Sequence, residues 1–342
     1  MKKFVVGVLL LALAAAVFAD DALVLPKGVL RTYFTGAYAF FSEEWDGTGE
    51  KVATTGYDML SAINLGGAIE FGVIDWISAA VQWAPGWNVW SATKNGSLIA
   101  PFGFDGANLL ANGPYNIFAG AKIQIVGPNA PVANETIRLA AAAGVKIPVN
   151  APDAAYWADQ FTAATGTDQW VGAYNDKPLW GLGARAYFDY VLNKMFYFNL
   201  YSEFIYYLGT VKREALSLAD WAAVNPGPAP NSDVALGYDL TFEAEPHFET
   251  MFGNGMRFGV GLPVTFSMSP EIKYDGGPDP IDPTGDTASY ALSVSPNVSL
   301  FLTKFIIPTE IKVGYTLPLV GKNAYATNTV VVQLKTYLRF YK

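Results

Sequence analysis

Apolar and polar residues alternate with a period of two between Trp180 and Leu208. In the first half of this stretch the even-numbered positions are apolar, whereas the odd-numbered positions include Arg185 and Asp189. The alternation stops at residues 191–194 and then resumes. Because successive side chains of a strand point to opposite faces of a sheet, the pattern predicts two long strands joined by a short turn.

The length of these two strands points to a membrane. Strands of globular proteins are usually about 5 to 6 residues long, whereas each strand here alternates for about twelve residues. About 9 to 11 tilted residues span a bilayer. The apolar face also carries large aromatic residues near both strand ends, as barrel walls do at the two membrane interfaces. We therefore expect the apolar face to contact lipid and the polar face to line a lumen.

The same alternation recurs along the chain and predicts twelve strands, with fourteen as the alternative count. The predicted strands are 28–41, 59–73, 76–84, 115–126, 136–147, 179–190, 195–208, 234–248, 256–266, 289–301, 307–319 and 329–341. Short connections alternate with long ones, as in outer-membrane barrels, and an even strand count places both termini at the short-turn, periplasmic end. The sequence thus predicts an all-β, antiparallel, up-and-down transmembrane β-barrel.

The first residues predict export. The chain begins Met1-Lys2-Lys3, continues with an uncharged apolar run at 4–18, and reaches Ala19 before two aspartates. This arrangement is typical of a secretory signal peptide, residues 1–19. The apolar run is shorter than the roughly 20 residues that a spanning helix needs. We therefore expect one domain, a barrel formed by residues 20–342, in the outer membrane of a bacterium.

Composition agrees with a barrel. The chain is 51% hydrophobic and 15% charged, against about 25% charged residues in soluble domains. A closed barrel exposes apolar side chains to lipid while satisfying its backbone hydrogen bonds. The absence of cysteine excludes disulfides, thiolate nucleophiles and cysteine metal sites. A net charge of -8 argues against nucleic acid as a partner.

The sequence offers little catalytic or metal-binding chemistry. His247 is the only histidine and shares a strand face with Asp239, Glu243 and Glu245. One histidine lacks the second nitrogen ligand typical of zinc, and no serine in a nucleophile motif accompanies it. The acidic run at 275–286 does not have the ligand spacing of an EF-hand, and we interpret it as a solvated turn. We expect no enzymatic activity, no metal and no cofactor.

The polar strand faces carry basic and acidic residues interleaved with tyrosines. The residues predicted to line the lumen are Arg31, Lys122, Arg138, Arg185, Asp189, Tyr197, Tyr201, Glu203, Asp239, Glu243, Arg257, Glu310, Lys312, Lys335 and Arg339. These side chains could form a salt-bridged core that only fills the barrel, or a narrow polar and aromatic path. A twelve-stranded bore lies between eight-stranded barrels filled by side chains and open sixteen-stranded porins, so both interpretations stay open.

Four segments resemble bacterial outer-membrane transport proteins, namely residues 68–78, 144–148, 196–203 and 337–342. They are most similar to a loosely defined group that includes FadL-like hydrocarbon and fatty-acid channels and proteins assigned to phenol-degradation pathways. The chain lacks the Asn-Pro-Ala start and the N-terminal hatch of FadL. Residues 20–27 are expected to be too few to plug a lumen, so gated fatty-acid uptake is not expected.

The resemblance implies an outer-membrane channel for small molecules, hydrophobic ones included. The alternative is a non-transporting barrel that serves surface stability or adhesion. A hydrolase is a remote third hypothesis, because the chain lacks the His, Ser and Asn constellation of outer-membrane phospholipase. The expected partners are outer-membrane lipid, the barrel-assembly machinery and a small-molecule solute.

Overall fold

Twelve antiparallel strands form one closed sheet in the computed structural model. The structure describes residues 21–54, 58–94, 97–99, 115–149, 177, 179–212, 233–253, 255–274 and 287–340. Each wall strand pairs with its neighbours in sequence, and the last strand pairs with the first. The up-and-down barrel of twelve strands is therefore confirmed. The predicted signal peptide and the acidic run at 275–286 lie outside the described residues.

We number the wall strands in chain order. They are β1 (Val29–Phe41), β2 (Met59–Ile74), β3 (Ile77–Lys94), β4 (Ile117–Gly127), β5 (Ile137–Ile147), β6 (Gly181–Val191), β7 (Phe196–Tyr207), β8 (Tyr238–Met251), β9 (Met256–Gly261 and Val264–Ser269), β10 (Ser289–Val294 and Asn297–Leu302), β11 (Thr309–Lys322) and β12 (Asn328–Arg339). The connections β2–β3, β4–β5, β6–β7, β8–β9 and β10–β11 lie at what we call the short-turn end. The opposite end is the long-loop end. No described helix is long and apolar enough to cross a membrane.

Prolines explain three of the differences between the observed strands and the predicted ones. Strands β9 and β10 are each interrupted for two residues, at Leu262-Pro263 and Ser295-Pro296, because proline has no N–H to donate to the sheet. An interruption of two residues leaves the inward and outward positions unchanged. Strand β3 continues to Lys94 rather than ending at Ala84, because a bulge around Pro85 only shifts its register against β2.

Burial follows the predicted alternation. In β6, Leu182 is 51% exposed on the outer face, whereas Asp189 is fully buried on the inner face. Large exposed apolar side chains cover the outer surface, among them Phe34, Ile69, Leu200, Phe204 and Val332. Water does not favour an apolar surface of this extent, and lipid covers such a surface in barrels of this kind.

Two small sheets lie at the long-loop end of the barrel. Glu43–Trp45, Lys51–Ala53 and Ala324–Tyr325 form one small sheet. A second sheet joins Val211–Lys212, Asp233–Ala235 and Lys273–Tyr274. These short strands therefore extend the wall at the long-loop end.

Candidate functional site

The inner face of the barrel is identified by contacts between strands that are not neighbours. Arg185 Nη1 of β6 donates to Gln82 Oε1 of β3 at 2.7 Å. Lys122 Nζ of β4 lies 4.2 Å from the ring centroid of Tyr187 of β6. In a closed barrel such contacts are possible only across the concave inner side. The predicted polar face is therefore the inner face, and we take it as the candidate site.

Arg185 occupies the middle of the inner face and stacks on an aromatic ring. The ring belongs to Phe118, which lies where Gly144 and Gly183 leave space, since a β-carbon on either glycine would overlap it. The Arg185 guanidinium carbon is 3.8 Å from the Phe118 ring centroid. Arg185 Nε donates to Glu203 Oε2 at 2.5 Å. The Arg185 guanidinium is thus fixed in position by the Glu203 carboxylate and the Phe118 ring.

Residues 21–27, the N-terminal segment, lie inside the barrel at the short-turn end. The Ala22 N–H donates to both carboxylate oxygens of Asp189, at 3.0 and 3.1 Å. Lys122 Nζ donates to the Asp21 carbonyl at 2.5 Å. Ala22 is fully buried and packs against Ala140 of β5 and Tyr187 of β6.

This position contradicts the expectation that residues 20–27 are too few to plug the lumen. The segment leads into β1, and Asp189 belongs to β6, which lies almost opposite in a ring of twelve strands. Six extended residues reach about 20 Å, and this reach lets so short a segment extend from β1 across the interior. The Lys27 N–H donates to Asp75 Oδ1 at 3.0 Å and fixes the other end of the segment.

Lys177 crosses the interior near the long-loop end. Its Nζ lies 2.6 Å from Asp239 Oδ1 of β8 and 4.5 Å from the ring centroid of Tyr207. Its carbonyl accepts a hydrogen bond from Asn116 Nδ2, beside β4, at 2.6 Å. The Tyr207 hydroxyl donates to Asp239 Oδ2 at 2.6 Å. Lys177 therefore links the β4 side of the wall to β8.

A small pocket that is partly open to solvent adjoins Asp239. The serine and threonine residues that line it are Thr241, Ser267, Ser269 and Ser289. Ser269 Oγ donates to Asp239 Oδ1 at 2.5 Å. Ser289 Oγ is buried and has no hydrogen-bond partner. This part of the interior places small hydroxyl side chains beside a carboxylate.

Two carboxylates and a phenol ring surround His247 at the inner face of β8. His247 Nδ1 is 3.2 Å from Glu245 Oε1, and its ring stacks on Tyr197 with centroids 4.5 Å apart. The Tyr197 hydroxyl donates to Glu249 Oε1 at 3.1 Å, and Arg257 Nη1 donates to Glu249 Oε2 at 3.2 Å. The surroundings of His247 are therefore those of an ion-pair network.

The wall formed by β1, β2, β11 and β12 carries its own ion pairs. Arg31 pairs with Glu70, whose other oxygen accepts a hydrogen bond from Ser78 Oγ at 2.6 Å. Lys335 Nζ lies 4.0 Å from Glu310 Oε2. Basic and acidic groups on this side therefore neutralise one another in neighbouring positions.

The structure places the residues that the sequence singled out as follows. Arg31, Lys122, Asp189, Glu243 and Lys312 are buried, while Arg138, Arg185, Tyr197, Tyr201, Glu203, Asp239, Arg257, Glu310 and Lys335 are partly buried. Arg138 reaches Asp189 at 3.6 Å. Arg339 differs from the others because it is exposed at the end of β12.

Several residues of the site were missed by sequence reasoning. Phe118 could have been found, because the alternation of β4 assigns it to the inner face. Glu249 was missed because the predicted strand ended at residue 248, whereas β8 continues to Met251. Nothing in the sequence indicated the contacts of Ala22 or Lys177, since both lie outside the alternating strands.

Neither a family model nor a curated protein matches this chain. Among solved structures, it is similar to the COG4313 outer membrane channel from Pseudomonas putida F1, with 11% identity and a TM-score of 0.58 over 94% of this chain and 100% of that chain. A Pseudomonas aeruginosa FadL homologue has 10% identity and a TM-score of 0.38 over 96% of this chain and 97% of that chain. The NanC porin has 9% identity and a TM-score of 0.42 over 90% of this chain and 100% of that chain. The first of these likenesses shows that the chain has the fold of an outer-membrane channel.

Proposed function

We propose that the chain is a channel of the bacterial outer membrane that passes small molecules, hydrophobic ones included, through a narrow interior lined by mixed charges and tyrosines. The observation that carries the proposal is a set of buried polar atoms without a protein partner. They include Asn64 Oδ1, Asn199 Oδ1, Asn297 Oδ1 and Gln333 Oε1. In a dry core each would cost about 1 to 3 kcal/mol. Water satisfies such atoms, and a hydrated interior is what a solute path requires.

A non-transporting barrel is the second candidate, and the contacts at the two ends favour it. The N-terminal segment spans the interior at the short-turn end, and Lys177 spans it near the long-loop end. We reconcile these contacts with transport by proposing that the described conformation is a closed state of the channel. Because the two crossings follow one another along the interior, flux then requires each of them to move or to leave a gap beside it.

Shrinking two inward tyrosines tests whether the interior is a path. The Tyr201→Ala/Tyr197→Ala variant removes rings whose hydroxyls donate to Glu203 and Glu249. In a path, less bulk raises the flux of small sugars and of an aromatic solute in liposome-swelling assays, because pore-lining bulk sets permeability. In a filled core, the same change leaves a cavity and lowers thermal stability without opening a path.

The matched control for the tyrosine variant is Tyr206→Ala. Tyr206 is on the same strand but is exposed on the outer face. Its loss should leave flux unchanged. If neither the parent nor the double variant passes any solute, the channel proposal gives way to the structural barrel.

We also propose that the termini and short turns are periplasmic. A protease-cleavable tag inserted at Thr48, in an exposed turn at the long-loop end, should be cut on intact cells. A tag at Asn193, in the β6–β7 turn, should be protected, because the two sites lie at opposite ends of the wall. Cleavage at Asn193 with protection at Thr48 would reverse the orientation.

A further inference from the structure

Acidic side chains of the inner face are concentrated on β7 and β8. These two strands carry Glu203, Asp239, Glu243, Glu245 and Glu249, which we call the carboxylate row, and neither strand contains lysine or arginine. The inward basic residues of the flanking strands are Lys122, Arg138, Lys146 and Arg185 on β4–β6, and Arg257, Lys312 and Lys335 on β9–β12. Inward carboxylates also occur singly on other strands, as Asp189, Glu70 and Glu310, so the acidic charge is enriched on β7 and β8 rather than confined to them.

The carboxylate row extends along the wall and is interrupted by His247, between Glu245 and Glu249. Alternate residues of a strand are about 6.6 Å apart, and Asp239 to Glu249 covers about 33 Å of strand. Glu203 lies directly opposite Thr241 in the β7–β8 register, so it fills the gap between Asp239 and Glu243. The hydrocarbon core of a bilayer is about 30 Å thick. A row of this length runs from one end of the wall towards the other.

Oxygen atoms without hydrogen-bond partners lie beside this row. Asn199 is 5% exposed, faces Glu245 in the β7–β8 register, and its Oδ1 has no partner. Asn297 is 3% exposed, and its Oδ1 also lacks a partner. Near the long-loop end, Ser289 Oγ lacks a partner in the pocket that Asp239 lines. Amide and carboxylate oxygens only accept, so this surplus of acceptors calls for a donor or a cation.

The glycine at position 261 allows this arrangement on the β9 side. A β-carbon on Gly261 would overlap the Glu245 carboxylate and the Asn297 amide. Glu245 therefore extends across β9 towards Asn297 of β10, with Nδ2 of Asn297 at 3.5 Å from Glu245 Oε1. The result is a carboxylate and an amide oxygen from non-adjacent strands in one place.

Three members of the row are ion-paired, Glu203 with Arg185, Asp239 with Lys177 and Glu249 with Arg257. Arg185 is held on Phe118, and Arg257 lies 4.9 Å from the ring centroid of Phe301. A carboxylate has about four acceptor sites, so an ion pair or hydrogen bond does not exhaust it. The described residues include no cluster of three or more His, Asp or Glu side chains arranged to hold a metal ion. Weak, repeated contacts of this kind suit conduction better than tight binding does.

We infer that the carboxylate row makes the channel selective for small monovalent cations, inorganic ions and primary ammonium compounds alike. This inference rests on the proposed channel function. The row supplies negative charge along the path, and the partnerless oxygens of Asn199, Asn297 and Ser289 replace part of the water that a cation loses on entering.

The reversal potential in a potassium chloride gradient across a planar bilayer measures this selectivity. In the parent, the K⁺ to Cl⁻ permeability ratio should exceed about three, since rings and rows of acidic side chains select cations. In Glu243→Gln/Glu245→Gln the ratio should fall at least about two-fold. Replacing K⁺ by methylammonium in a second arm tests the ammonium class, and loss of current there would restrict the inference to inorganic ions and overturn its ammonium part.

Two further variants test whether the change in permeability ratio comes from the carboxylate row. Glu50→Gln/Glu135→Gln removes the same number of charges from exposed positions at the two ends of the barrel, so its ratio should match that of the parent. Asn199→Arg places a positive charge beside Glu245 without removing a row member, and should also lower the ratio. Asn199→Arg therefore keeps the inference testable if the row variant fails to fold.

The outcomes separate the two proposals. Current that prefers anions, or a ratio that is equal in the parent, the row variant and Asn199→Arg, overturns the cation inference while leaving a channel. An equal fall in the row variant and the exposed-charge control shows a surface effect and also overturns it. No current from either the parent or a variant without residues 20–25 overturns the channel function itself.

Discussion

Replacing Leu200 with arginine is expected to lower the free energy of unfolding of the barrel in lipid by about 2 to 4 kcal/mol. Leu200 lies near the middle of β7 and is 42% exposed on the outer face. An arginine there must place its charge in hydrocarbon. The same substitution at Asn199, one residue away on the inner face, should be tolerated, because Asp189 and Glu245 lie directly opposite on the two adjacent strands.

Denaturant unfolding in lipid vesicles measures the difference between these two variants. Leu200→Ala serves as the control, because it removes the leucine side chain without adding charge. A small loss of stability for Leu200→Ala and a large one for Leu200→Arg would assign the cost to the charge. Equal unfolding midpoints for Leu200→Arg and Asn199→Arg would contradict the assignment of the two faces.

Removing residues 20–25 is expected to raise single-channel conductance several-fold. In the parent, the segment crosses the interior and is anchored where the Ala22 N–H meets the Asp189 carboxylate. Its removal should leave an open passage at the short-turn end, because pore-lining bulk limits conduction. Thermal stability should fall modestly, since Ala22 packs against Ala140 and Tyr187.

Two point variants sharpen the interpretation of that deletion. Asp189→Asn weakens the anchor at the far end of the segment, so it should give conductance between that of the parent and that of the deletion variant. Asp75→Asn affects only the contact with the Lys27 N–H, next to the wall, and should behave like the parent. A deletion variant that conducts no better than the parent would show that the segment does not restrict the path.

The strands and their faces were predictable because both are local properties. Twelve strands with the expected inward positions are found, and the prolines at 263 and 296 interrupt β9 and β10 without changing which side each residue faces. The boundaries were less predictable. Strand β3 runs on past Pro85 because a bulge in its pairing with β2 accommodates the proline, and the pairing with β2 then continues to Thr93.

The candidate site was predictable as a set of residues but not as a set of contacts. Alternation assigned Arg185 and Glu203 to one inner face, and their pairing follows from neighbouring strands. The stacking of Arg185 on Phe118 does not follow from alternation, because it also needs the glycines at 144 and 183 to make room for the ring. The enrichment of acidic residues on β7 and β8 is visible in the sequence once the order of the strands is known.

The sequence by itself determined the secondary structure, the lipid-facing surface and the composition of the interior, because the period of two and the apolar outer positions act within each strand. Only the tertiary structure decided that the N-terminal segment enters the barrel, that Lys177 links the β4 side to β8, and that Glu245 reaches Asn297 over Gly261. These contacts join residues far apart in the chain. They depend on the curvature and width of the closed wall, which no local pattern specifies.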